Sequence, residues 1–101
     1  MNRFDAIAAV LPQYGLDAIL LTGAPNRFYA TGFAADSEGG VALVTTKGNF
    51  FFTDSRYIEA AEKSIDNAAI GLVNAQKRYI AWINEALELT GAKVWASKRT
   101  I

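Results

Sequence analysis

Val41-Ala42-Leu43-Val44-Thr45-Thr46-Lys47-Gly48-Asn49-Phe50-Phe51-Phe52-Thr53 is the stretch that decides the fold. Two apolar, β-branched and aromatic runs, Val41 to Thr45 and Asn49 to Thr53, flank a Lys47-Gly48 turn signal, which predicts an antiparallel hairpin. Side chains alternate faces along a strand, so Phe51 points opposite to Phe50 and Phe52. Leaving any one of these rings in water forfeits roughly 1.5–3 kcal/mol of burial. The simplest remedy is a sheet with helices on both faces.

The flanking segments supply such helices. Upstream, Phe4, Ile7, Ala8, Leu11 and Tyr14 recur at helical spacing, with Asn2 as an N-cap and Asp5 in the first turn. Pro12 lacks an N–H and crowds the carbonyl of Ala8, so this helix should stop or bend near Val10 or Leu11, with Gly15 as a positive-φ exit. Asp17 to Thr22 reads as a strand whose continuous apolar run implies two covered faces. Pro25 is placed to open a short helix ending at Tyr29 or Ala30, and Ala34 to Gly40 reads as a loop.

Downstream, Asp54 is expected to cap a helix running to about Lys63, with Tyr57, Ile58 and Ala61 facing inward. Ala68 to Val73 reads as a short strand. A longer helix is expected over Ala75 to Leu89, with a stripe of Tyr79, Ile80, Ile83 and Leu87 widened by Trp82 and Ala86, and Gly91 as its stop. Lys93 to Ala96 reads as a closing, buried strand carrying Trp95. Alternating helices and strands with one hairpin give a three-layer α/β domain with a mixed sheet.

Composition narrows the chemistry. With 101 residues the chain holds one domain. Its 51% hydrophobic and 20% charged residues are those of an ordinary globule. Ten basic and ten acidic residues cancel, leaving no basic field for nucleic acid or an anionic membrane. The absence of cysteine excludes disulfides, thiolate nucleophiles and zinc–thiolate sites, and the absence of histidine excludes imidazole relays and imidazole ligands. No basic start precedes an apolar run at the N-terminus, and Ala18 to Leu21 is far short of the roughly 20 residues that span a bilayer, so a cytoplasmic location is expected.

Three clusters are candidates for a site. Asn26-Arg27-Phe28-Tyr29-Ala30-Thr31-Gly32-Phe33 gathers an amide, a guanidinium, a phenol and a hydroxyl in one short segment that is suited to lining a pocket. Its commoner role is structural, with Asn26 and Thr31 satisfying loop backbone and the rings packing inward. Thr53-Asp54-Ser55-Arg56-Tyr57 directly follows a strand, where ligands of α/β sheets tend to bind. There Asp54 suits a substrate cation and Arg56 a carboxylate. Capping, at about 1 kcal/mol, accounts for Asp54 fully, and that structural role is the commoner one. Arg56 is harder to explain structurally, since a helix N-terminus disfavours a cation, and it stands between a structural ion pair and a binding role. Asp36, Ser37 and Glu38 before Gly39-Gly40 match no calcium loop and read as solvated, and no glycine spacing fits a phosphate or dinucleotide loop. Glu59, Glu62, Glu85 and Glu88 read as solvent faces.

Asn26 to Phe33, a hydrophobic hairpin, then Phe52-Thr53-Asp54-Ser55-Arg56-Tyr57 closely resembles the N-terminal domain of proline-specific metallopeptidases. These comprise Xaa-Pro dipeptidases (prolidases) and Xaa-Pro aminopeptidases, with creatinase as a relative. The first helix and Gly15 to Thr22 resemble the family's opening as well, so the likeness covers essentially the whole chain. The resemblance implies a ribonuclease-H-like α/β fold and a separate C-terminal catalytic domain, absent here. In the family, that domain holds two divalent metals, often manganese or cobalt, on aspartates, glutamates and a histidine. Their bridging water attacks the bond before proline in a short proline-containing peptide. This chain would hold no metal. It would act as a domain over residues 1–101 that supports a homodimer or tetramer and shapes the substrate entrance. The matching residues are Asn26, Tyr29, Thr31, Gly32, Phe33, Asp54, Arg56 and Tyr57, with Arg56 as the candidate for reaching a substrate or partner subunit. Phe28, Ala30 and the loop Ala34 to Glu38 depart from the pattern and leave substrate preference open. A free-standing binding module and a creatinase-like amidinohydrolase are the alternatives. The abrupt finish at Ser97 to Ile101 suggests a chain that continues into something larger.

Overall fold

The computed structural model describes residues 4–22, 40–65 and 68–98. The first helix, α1 (Phe4–Val10), gives way to a 3-10 turn at Leu11–Tyr14, where Pro12 cannot extend the α-helical ladder. Gly15 leaves it at φ 70°, its N–H on the Pro12 carbonyl at 3.1 Å. The remaining elements are β1 (Ala18–Leu21), β2 (Val41–Thr45), β3 (Gly48–Thr53), α2 (Ile58–Ser64), β4 (Ala69–Leu72), α3 (Tyr79–Thr90) and β5 (Trp95–Lys98). The expected Asn2 cap, the short helix after Pro25 and the loop Ala34 to Gly39 lie outside the described residues. Among the described residues, no helix is long and apolar enough to cross a membrane.

The strands form one sheet in the order β4-β3-β2-β1-β5. β2 is antiparallel to both β1 and β3, while β4 runs parallel to β3 and β5 parallel to β1. β1, β3, β4 and β5 therefore end at one edge of the sheet, and β2 starts there. The expected three-layer arrangement is present. Leu21, Ala42, Val44 and Phe51 pack with Phe4, Leu11, Ala61 and Ile65 under α1 and α2. Ala18, Leu20, Leu43 and Phe52 pack with Ile83 and Ala86 under α3. Phe51 and Phe52, each 1% exposed, thus sit in opposite cores, as strand alternation requires.

Several boundaries differ from expectation for identifiable reasons. The hairpin loop is Thr46-Lys47, not Lys47-Gly48, and Gly48 pairs with Thr45 as the first residue of β3. The Thr45 hydroxyl donates to the Gly48 carbonyl (2.6 Å) and accepts from the Lys47 N–H (3.0 Å), so a threonine closes this turn. Asp54 does not cap α2. Its side chain is engaged by Arg56, and α2 starts four residues later with Tyr57 in the capping position and no side-chain cap bond.

At α3, the Asn74 side-chain oxygen accepts from the N–H groups of Gln76 (2.9 Å) and Lys77 (2.8 Å). That local bonding holds residues 74–77 in a turn and delays the helix to Tyr79. The buried stripe is Tyr79, Trp82, Ile83, Ala86 and Leu87. Ile80 falls at its margin and is 68% exposed, because the Trp82 ring takes the place against the sheet. Gly91 ends α3 at φ 70° as expected, with Ala92 N–H reaching back to the Leu87 carbonyl at 3.1 Å.

The last strand begins two residues later than expected, since Asp17 holds the residues before it. One Asp17 carboxylate oxygen accepts from the N–H groups of Lys93 (3.0 Å) and Val94 (3.2 Å). Those two bonds keep the Asp17 carboxyl below the usual carboxylate range. β5 is also less enclosed than its apolar sequence suggests, with Trp95 43% exposed at the sheet's edge.

Candidate functional site

The Asp54-to-Tyr57 turn stands at the edge where four strands end, directly beyond β3. The main-chain carbonyl of Asp54 accepts from the N–H groups of Tyr57 and Ile58, both at 3.1 Å, which folds the chain sharply into α2. The side chains of Asp54 and Arg56 then close on each other. Arg56 Nε lies 3.1 Å from both carboxylate oxygens, and Nη2 lies 2.8 Å from Oδ2. The Arg56 N–H adds a fourth bond to Oδ1 at 3.0 Å. The guanidinium carbon sits 5.1 Å from the Tyr57 ring centroid, within cation–π range.

The ion pair expected as one reading of Arg56 is present as a clamp within the turn. It also fixes the direction of the guanidinium, which remains half exposed at this edge. The bonds donated by Arg56 hold the Asp54 carboxyl below its usual range, and partial burial opposes them. The Nε–Nη2 edge of the guanidinium is thus occupied by Asp54, and the group is held near the Tyr57 ring at the carboxyl edge of the sheet.

The structure brings Asp54, Arg56 and Tyr57 together. Asn26 and Tyr29 lie outside the described residues. The segment that carries them leaves the sheet after β1 and returns at β2, so both its ends, Thr22 and Gly40, are at the same edge as the clamp. Gly40 is constrained there. At φ 153°, a Cβ on it would come 2.7 Å from the Phe51 ring and 2.8 Å from the Phe52 carbonyl. Among the described residues, no group of three acidic side chains is placed to hold a metal ion.

Sequence reasoning missed a second concavity, under α3. A cavity of about 150 Å³ is lined by Phe50, Phe52, Ala69, Gly71, Trp82 and Leu89, among others. Phe50 stacks on Phe52 (5.9 Å between centroids) and Phe52 on Trp82 (5.5 Å). Lys77 Nζ lies 3.7 Å from the Trp82 ring centroid and pairs with Glu85. The available signal was Gly71 inside a strand, which marks a close approach. A Cβ there would meet Phe52 at 2.8 Å and Trp82 at 2.9 Å.

Comparison with known proteins converges on one family. The creatinase/prolidase N-terminal domain model matches residues 3–97. Solved structures with the same fold include an Xaa-Pro dipeptidase from Bacillus anthracis, 26% identical with a TM-score of 0.83 over 95% of this chain and 26% of that one. Another is the aminopeptidase P, an Xaa-Pro aminopeptidase, of Streptococcus thermophilus, 28% identical with a TM-score of 0.80 over 94% of this chain and 70% of that one. An Xaa-Pro aminopeptidase from Streptococcus pyogenes is 25% identical, with a TM-score of 0.82 over 98% of this chain and 73% of that one. The chain thus spans about a quarter of the length of the Bacillus dipeptidase it matches. No curated protein sequence matches it. The helix-covered mixed sheet and the match over residues 3–97 have one common explanation: the chain belongs to the creatinase/prolidase N-terminal domain family, the N-terminal part of prolidase- and aminopeptidase P-like proteins.

Proposed function

We propose that this chain is the non-catalytic N-terminal domain of an Xaa-Pro peptidase, a dipeptidase or an aminopeptidase. The observation that supports the reading is the Asp54–Arg56–Tyr57 clamp, which holds a half-exposed guanidinium in one orientation at the carboxyl edge of the sheet. Its task is to shape the entrance through which a short proline-containing peptide approaches the catalytic domain of the same or a neighbouring subunit. Asp54 sets the orientation of Arg56, and Arg56 meets the carboxylate of the peptide or of the partner subunit. Assembly into a homodimer is part of the same reading.

The metal pair associated with such peptidases supplies an activated water when bound. The residues of this chain do not fit it. There is no histidine or cysteine, and among the described residues no three carboxylates converge. The reacting centre is assigned to a separate C-terminal domain.

Kinetics of the full-length protein test the proposal. Arg56→Ala should raise KM for an Xaa-Pro substrate about tenfold, a loss of about 1.4 kcal/mol of uniform binding, with little change in kcat. Unchanged KM together with an unchanged oligomeric state in sedimentation would remove Arg56 from the entrance. Hydrolysis of an Xaa-Pro dipeptide by the 101-residue chain itself, with contaminants excluded, would overturn its non-catalytic assignment.

A further inference from the structure

The outer side of β4 has a specific chemistry. The Val73 N–H donates to the Thr53 carbonyl at 2.8 Å, and Leu72 is the register partner of Thr53. In a parallel ladder this means that Gly71 and Val73 turn their main-chain groups toward β3. Ile70 and Leu72 turn theirs away, to the side where β4 has no strand among the described residues. These two residues are self-complementary. If a second β4 ran antiparallel about a twofold axis at Gly71, Ile70 would face Leu72 of the other copy, and the two pairs would exchange four hydrogen bonds. An exposed edge of this kind is an invitation to strand addition.

One of the outward acceptors is already taken. Trp82 reaches from α3 and donates its indole N–H to the Leu72 carbonyl at 2.8 Å. The ring is held in that position by its stack on Phe52, by the absence of a Cβ at Gly71, and by the Lys77 ammonium, itself paired with Glu85. We infer that Trp82, steadied by Lys77, is a guard that keeps the outer edge of β4 closed to the β4 of a second copy. The indole removes one acceptor from each copy, so two of the four bonds cannot form.

Amide hydrogen exchange on the full chain at two or more protein concentrations tests this, since the four amides of interest report separately. Trp82→Phe keeps a stacking ring but removes the donor. In this variant the Ile70 and Leu72 amides should become at least about tenfold slower to exchange as concentration rises, while wild type shows no such dependence. Protection at Gly71 and Val73 reports that β4 still pairs with β3. Adding Leu72→Lys to Trp82→Phe should abolish the new protection through repulsion between the copies. Concentration-independent exchange at Ile70 and Leu72 in Trp82→Phe, with Gly71 and Val73 protected, overturns the inference, as does protection that persists in the double variant. Where Trp82→Phe loses protection at Gly71 and Val73, Lys77→Met decides instead. It leaves the indole in place but loosens it, and should produce the same dependence in weaker form; an unchanged profile overturns the guard.

Discussion

The two faces of the sheet are closed in different ways. The α1–α2 face is covered by two helical units whose small and aliphatic residues fit tightly, with Phe4 and Ala61 fully buried against Phe51. Among the described residues, the other face has a single helix of 12 residues, and it recruits aromatic area from Phe50, Phe52 and Trp82 to make up the coverage. Large flat rings cover more sheet per residue than aliphatic chains but fill space less evenly. A half-open pocket of about 150 Å³ lies beside these rings and α3. A strand run such as Phe50-Phe51-Phe52 makes equal hydrophobic demands on both faces, and the helices available decide whether the answer is close packing or an aromatic stack.

The strongest test of this contrast is truncation of the two buried rings. Phe51→Ala and Phe52→Ala should each cost about 3–5 kcal/mol in urea unfolding. Phe51→Ala should lie at the upper end, because it is enclosed by Phe4, Ala61 and Ile65, and Phe52→Ala at the lower end, because it lines a half-open pocket into which its neighbours can shift. Equal costs would break the contrast. Gly71→Ala should cost about 1–3 kcal/mol, since its Cβ would overlap Phe52 and Trp82. In a Trp82→Leu background that penalty should shrink, and an undiminished penalty would place the clash elsewhere.

Asp54 belongs to neither face and should respond to pH rather than to packing. Its carboxyl titrates below the ordinary 3.8 in the folded chain because Arg56 donates to it. The clamp's contribution, at most about 1 kcal/mol for a pair this exposed, is therefore present above pH about 3.8 and disappears as pH falls through the lower folded value. The stability difference between wild type and Asp54→Asn, followed by denaturation from neutral pH downward, should close in that acidic window. The smallest effect is expected at Gly48. A Cβ there meets Phe50 and Thr90 only at 3.7–3.9 Å, so Gly48→Ala should stabilise by about 0.5 kcal/mol, read as a small rise in the urea midpoint.

Features decided within a few residues were legible in the sequence. Pro12 marked where α1 stops, Gly91 marked the end of α3, and the phenylalanine triplet announced two covered faces. Features decided by distant partners were not. The start of β5 depends on Asp17, the orientation of α3 on the fit of Trp82 over Gly71, and neither pairing has a local signature. The site divides in the same manner. The position of Asp54 to Tyr57 beyond a strand could be read directly, but the aspartate's role could not. A helix cap and an arginine clamp require the same residue types, and only geometry separates them. Asn26 and Tyr29 lie outside the described residues.

Asp17 has a consequence for the order in which the chain can be finished. The amides it binds are 76 and 77 positions away, so the ribosome makes the acceptor long before the donors. β1 lies between β2 and β5, and its second neighbour exists only once Trp95 to Lys98 has been translated. A nascent chain holding everything through α3 still carries a half-dressed interior strand. Pairing on the second side of β1 consequently waits for a strand roughly 75 residues further along the chain, a non-local closure of the kind that slows folding.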